Sequence, residues 1–231
     1  MIDRRARTLK DRVLEPLAAR LAAHVTGGFL TGVSLALAVA AAGAAWAGSP
    51  PLAVGCWLTS RLADGLDGPV ARRRGEAGDL GGYLDILADT VGYTIIPVAV
   101  ALGVDDRATW IALAALLGIL YVNAISWTYL AAVLEKRGAG ARHSGEATSI
   151  TMPPALVEGA ETIVLFTLFL ALPGRAAWIF GLMAALVTVN IGQRLWWAWR
   201  SLDRAPALTN QLAADASASG VAPARSRRTT R

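Results

Sequence analysis

The feature that most restricts the fold is a series of long apolar runs with breakers between them. They cover about Phe29–Ala47, Leu52–Val70, Leu80–Leu102, Thr109–Leu134, Pro153–Leu172 and Ala176–Trp199. A helix rises 1.5 Å per residue, so about twenty apolar residues cross the hydrocarbon core of a bilayer. Gly48-Ser49-Pro50-Pro51, Val104-Asp105-Asp106-Arg107 and Pro173-Gly174-Arg175 punctuate the runs with turn residues. The sequence therefore predicts an all-α integral membrane protein, a bundle of six transmembrane helices spanning residues 27–200.

Composition agrees. Of 231 residues 55% are apolar, and the mean hydropathy is +0.46, high for a soluble chain. The length suits one domain. The single cysteine, Cys56, lies within an apolar run, which excludes an internal disulfide. No cleavable signal peptide is expected, because no short apolar segment follows the basic N-terminus directly.

The net charge of +5 raises the question of nucleic acid, but the positive residues cluster beside apolar runs. That placement favours membrane orientation and anionic lipid, with no nucleic acid partner. Residues 1–26 read as an amphipathic helix on the cytoplasmic membrane surface. Ile2, Leu9, Val13, Leu17, Leu21 and Val25 form its apolar stripe, arginines lie between them, and Pro16 is a candidate bend. The Ala/Ser/Arg-rich residues 201–231 read as a disordered cytoplasmic tail.

Six spans put both termini on one side. Eighteen Lys and Arg fall on that side, against only Arg107 and Arg175 on the other. The bias predicts cytoplasmic termini in a multi-pass inner or plasma membrane protein. Trp196, Trp197 and Trp199 end the last span, where tryptophan suits the interface.

Against this background the stretch Asp64–Asp89 is anomalous. It carries Asp64, Asp67, Asp85 and Asp89 between apolar flanks. Charge at membrane depth is costly, so it marks a functional site. Asp64 and Asp67 are three apart and Asp85 and Asp89 four apart, so each pair shares a helix face. The polar turn Arg72-Arg73-Arg74-Gly75-Glu76-Ala77-Gly78 would fold the two helices into a hairpin and set the pairs opposite each other. Four facing carboxylates repel unless cations neutralise them. All-oxygen ligands suit Mg²⁺ or Mn²⁺, and two such ions with phosphate oxygens form a common arrangement for attack at phosphorus.

The stretch fits D-x-x-D-G-x-x-A-R-x8-G-x3-D-x3-D from Asp64 through Gly68, Ala71, Arg72, Gly81 and Asp85 to Asp89. It thereby resembles the CDP-alcohol phosphotransferase (CDP-alcohol phosphatidyltransferase) family, and the pattern of spans agrees over roughly residues 20–200. The resemblance implies transfer of a phosphatidyl group from a CDP-linked lipid, usually CDP-diacylglycerol, to a small hydroxyl acceptor with release of CMP. It implies two ions. Asp64, Asp67 and Asp85 would ligate metal, with Asp85 bridging. Asp89 would ligate the second ion and take the acceptor's proton. It also implies a homodimer. The site would lie near the cytoplasmic face, where nucleotides are found.

Gly68, Ala71 and Gly81 are small enough for close approach of nucleotide, or equally for helix packing. Arg72 suits a phosphate, or a snorkelling position at the interface; the motif favours the phosphate. Gly78 stands where the family contacts the cytidine side, usually through Ser or Thr. Family members often carry Pro-Asn before the first span; here Gly27-Gly28-Phe29-Leu30-Thr31 keeps the threonine and offers only backbone amides.

Glu158 and Glu161 could recognise an acceptor or pair with Arg61, Arg194 or a loop arginine. Arg142 and His143 could bind a phosphorylated acceptor or simply be solvated. Two other classes use intramembrane carboxylates. A membrane prenyltransferase would show a second acidic motif downstream, and none follows Asp89. A metal or proton transporter would show repeat symmetry between halves, and spans four to six do not echo the motif.

Overall fold

The computed structural model describes residues 14–137 and 159–203, and every described element is helical. Residues 14–21 are helical (α1). Then come α2 (Gly27–Trp46), α3 (Pro50–Arg74), α4 (Asp79–Val104), α5 (Arg107–Lys136), α6 (Gly159–Ala171), a 3₁₀ turn at Pro173–Arg175, and α7 (Ala176–Asp203). These helices start and stop within a few residues of the expected spans, except that the start of the fifth span falls outside the described residues. The chain before residue 14, with Ile2, Leu9 and Val13, lies outside the described residues, as do Pro153, Pro154 and the tail from residue 204.

Local chemistry explains the boundaries. The Thr26 hydroxyl caps α2 by accepting from the Phe29 amide at 3.1 Å. Pro50 and Pro51 open α3, where a missing N–H costs nothing. Gly75 closes α3 at φ 69°, a left-handed conformation that favours glycine. Asp106 caps α5, accepting from the amides of Ala108 and Thr109.

Helices α2, α4 and α5 and the stretch Pro173–Leu202 are long and apolar enough to cross a membrane. The other two expected spans differ. Helix α3 has 25 residues but is too polar to qualify, because Arg61, Asp64, Asp67 and Arg72–Arg74 interrupt it. The described part of α6 has 13 residues, short of a bilayer crossing. Large apolar side chains such as Leu80, Tyr83, Tyr121, Tyr129 and Trp178 face outward, as in a bundle surrounded by lipid rather than water.

Helix α2 is the central packing element. Both α3 and α4 pack along it, while the α3 and α4 backbones seldom come close and the two helices meet through long side chains. The expected hairpin is therefore a wedge, with α2 filling the angle between its arms. Small residues make this possible. Ala38, Ala41, Ala42 and Ala44 of α2 are buried. A Cβ at Gly27 would lie 2.7 Å from Ala71 Cβ of α3, and one at Gly103 of α4 would lie 2.9 Å from the Ala45 carbonyl. Helices α5 and α7 pair with each other, and α6 packs on α3.

An aromatic chain joins these groups. Trp57 stacks on Phe166 at 4.8 Å, Phe166 meets Phe169 at 4.7 Å, and Phe169 meets Phe180 at 5.0 Å. All four are fully buried. Such pairs each contribute roughly 0.5–1.5 kcal/mol beyond the area they bury.

Helix α1 buries one face, but not all of the expected stripe: Leu17 is 39% exposed, and Leu14 and Ala18 face the bundle in its place. Ala18 is buried with Leu30, Leu66 and Val70, and Leu14, Leu21, Ala22 and Val25 pack against them. Its apolar stripe thus covers the ends of α2 and α3. Arg73 bonds Glu15 at 2.9 Å, and Arg74 donates to the Ala22 carbonyl at 2.8 Å.

Candidate active site

The acidic residues sit on the facing walls of the wedge. Asp64, Asp67 and Asp85 each offer a carboxylate oxygen, and these three oxygens lie within 4.8 Å of one another. Two come from α3 and one from α4, so the cluster spans the opening between the helices. Asp67 is buried, and Asp64 and Asp85 are partly exposed. Three converging carboxylate oxygens on a cleft wall fit a hard divalent cation.

Asp67 is fixed from α2. The Thr31 hydroxyl donates to Asp67 Oδ2 at 2.7 Å, and lies 3.3 Å from the Gly27 carbonyl one turn back. The close contact of Gly27 with Ala71 makes this bond possible by bringing α2 onto α3 at the level of the motif. Gly27 and Ala71 thus act as helix-packing residues here. Gly27 is buried, and its proximity to α3 explains its size.

Asp89 stands apart from the trio. Its Oδ1 accepts from Arg61 Nη1 at 2.6 Å, and the same nitrogen lies 3.7 Å from Asp64 Oδ1. The Arg61 side chain is only 7% exposed. Its Nη2 donates to Ser34 Oγ at 3.3 Å and Ser60 Oγ at 3.2 Å. Those two serines are themselves bonded across α2 and α3. The guanidinium carbon lies 4.7 Å from the Trp57 ring centre and 5.7 Å from that of Tyr93. A cation among aromatic faces is favoured there.

From the sequence alone, Arg61 is a candidate partner only for Glu158 or Glu161. Its spacing three residues before Asp64 was the available signal, since i and i+3 share a helix face. Glu161 begins α6 and is partly buried, and Glu158, Arg142 and His143 lie outside the described residues. Arg194 of α7 binds Asn123 Oδ1 at 2.9 Å and Ser126 Oγ at 3.3 Å, tying α7 to α5.

The remaining motif positions line the mouth. Arg72 is exposed and its guanidinium folds over Gly68, where a Cβ would lie 3.2 Å from Nη1. Gly78 is the extended residue before α4, and Gly81 is exposed in its first turn. A Cβ at either would meet nothing within 4 Å, so both leave the mouth open.

The sequence and the fold are similar to those of known proteins. The family model for CDP-alcohol phosphatidyltransferase matches residues 25–197. The inner membrane protein YnjF of Escherichia coli (strain K12) is 33% identical over 149 residues, 63% of this chain and 69% of that one. The fold is similar to that of the Mycobacterium tuberculosis phosphatidylinositol phosphate synthase PgsA1 with CDP-DAG bound. There the TM-score is 0.62 at 21% identity, over 81% of this chain and 94% of that one. The same synthase in complex with manganese and citrate gives a TM-score of 0.56 at 19% identity, over 80% and 88%. With its acidic motif intact on two facing helices of an all-α membrane bundle, this chain belongs to the CDP-alcohol phosphatidyltransferase family.

Proposed function

We propose that the chain transfers the phosphatidyl group of a CDP-linked lipid, such as CDP-diacylglycerol, to a small hydroxyl acceptor and releases CMP. The observation that carries this reading is the convergence of Asp64, Asp67 and Asp85 across the wedge, within 4.8 Å. It is supported by family membership and by the fold shared with a synthase whose structure holds CDP-DAG.

In this reading Asp64, Asp67 and Asp85 would hold divalent metal, Mg²⁺ or Mn²⁺, as a pair of ions. Bound there, the ions would supply neutralising charge for the transferred phosphoryl group and the departing CMP. Asp89 would serve as a further metal ligand, and it takes the proton of the acceptor hydroxyl as that oxygen bonds to phosphorus and the phosphorus–oxygen bond to CMP breaks. Arg72 binds phosphate oxygens at the mouth. Gly68, Gly78 and Gly81 leave room for the nucleotide. Thr31 keeps Asp67 aimed at the cleft. The site and both termini face the cytoplasm, on the strength of the Lys/Arg bias, and two chains form a homodimer in the membrane.

The test is turnover. The purified protein would be given CDP-diacylglycerol, Mg²⁺ and a panel of acceptors: glycerol phosphate, inositol phosphate, serine, ethanolamine and choline. Released CMP and the mass of the lipid product are read. CMP with one acceptor, lost in Asp89→Asn, is expected. No CMP with any acceptor, or full activity in Asp89→Asn, rejects the reading.

A further inference from the structure

We propose that Arg61 is a built-in rival for the second divalent ion: it holds Asp89 until that ion displaces it, so the two ions bind unequally and in a fixed order. The inference rests on the two-ion reading above and deepens it. Three carboxylates already converge without Asp89. The fourth is bonded to a guanidinium at 2.6 Å. An ion that requires Asp89 must break that bond and then remain near a fixed positive charge.

Arg61 is not a loose side chain that happens to reach an acid. Ser34 from α2, Ser60 from α3, and the rings of Trp57 and Tyr93 surround its guanidinium. The cage keeps the charge at the wedge when Asp89 turns away. With Arg61 in place, Asp89 is also kept from repelling the trio before metal arrives. Arg61 is a positioning residue in this account, acting on the reaction through Asp89.

The experiment is a Mn²⁺ titration of the full chain in detergent without nucleotide, with free Mn²⁺ read by its paramagnetic resonance signal. Wild type should take one ion tightly and a second more weakly by about tenfold or more, given repulsion between a guanidinium and a divalent ion a few ångström apart. Arg61→Gln should tighten the second ion until the two constants converge. Arg61→Lys keeps the charge without the fork, and should leave the second ion weak. A residue with only a structural role would, when replaced, weaken binding or leave it unchanged, and either result in Arg61→Gln overturns the proposal. So do two equal constants in wild type, a criterion that stands even if Arg61→Gln does not fold. Failure of the parent reading looks different: no Mn²⁺ bound at all removes both, whereas unequal ions without CMP release remove only the assigned reaction.

Discussion

Thr31 on α2 donates its hydroxyl to Oδ2 of Asp67 on α3 across 2.7 Å. The bond joins residues 36 positions apart, from a helix that carries no motif carboxylate to one that carries two. It fixes one carboxylate oxygen and leaves the other to be aimed by the rotamer. Outer partners of this kind set the geometry of ligands, and their loss typically costs 10- to 100-fold in metal affinity or activity.

Thr31→Val keeps the shape and removes the donor. CMP release is expected to fall about 10- to 100-fold, with weaker Mn²⁺ binding. Leaving a buried acceptor without its partner should also lower stability by about 1–2 kcal/mol. Thr31→Ser should restore most of both. Thr31→Val with unchanged Mn²⁺ affinity would show that Asp67 is oriented by something else.

The contact of α2 with α3 can be tested beneath that bond. A Cβ at Gly27 would lie 2.7 Å from Ala71 Cβ and 2.9 Å from the Asp67 carbonyl. Gly27→Ala should therefore destabilise by about 1–3 kcal/mol through overpacking, and move Thr31 away from Asp67. Adding Ala71→Gly removes the nearer clash and should recover part of the loss, a coupling that a double-mutant cycle reads directly. Gly81→Ala is the contrast, since nothing lies within 4 Å. Its stability should hold or rise by up to about 1 kcal/mol. A fall in activity without a fall in stability would place the nucleotide against Gly81.

These residues show what a sequence discloses and what it does not. The Asp64–Asp89 pattern is legible because chemistry demands charge where the membrane forbids it, and fixed gaps leave few alternatives. Helix limits are legible because Pro50, Gly75 and Asp106 act locally. Arg61 was hidden because its cage is assembled from Ser34, Trp57, Ser60 and Tyr93 on three helices, and no spacing along one chain reports that. The packing role of Gly27 was hidden for the same reason, since only the fold brings α3 against it. The polar character of α3 has the same origin: its residues face the site and Arg61, so hydropathy understates a helix that tertiary contacts hold in place.

Metal should stabilise the folded protein if the trio is a ligand set. A ligand that binds only the native state adds about 2.7 kcal/mol at a hundred times its dissociation constant. Thermal unfolding in detergent should shift upward with added Mn²⁺ and return on chelation. Asp85→Asn removes the only trio member contributed by α4, and should abolish the shift. An undiminished shift in that variant would place the ion elsewhere.

A pH dependence is expected from the opposite end of the α4–α5 turn. Asp106 lies outside the spans, and its carboxyl is held below the ordinary carboxylate value. The main cause is the Thr109 hydroxyl, followed by the Thr109 amide, with a smaller contribution from the Ala108 amide. All three donate to the ionised form and cap the first turn of α5. A depressed folded value means the contribution is complete above the unfolded value, near pH 3.9. It is lost as pH falls through the lower folded one. Asp106→Ala should therefore be less stable than wild type at neutral pH, and the difference should close under acid. Asp106→Asn keeps an accepting oxygen at every pH and should stay close to wild type at neutrality, without the acid-dependent change. Unfolding midpoints of the three proteins between about pH 3 and pH 7 measure it. A gap between wild type and Asp106→Ala that stays constant over that range would mean the capping interaction does not depend on the carboxylate charge.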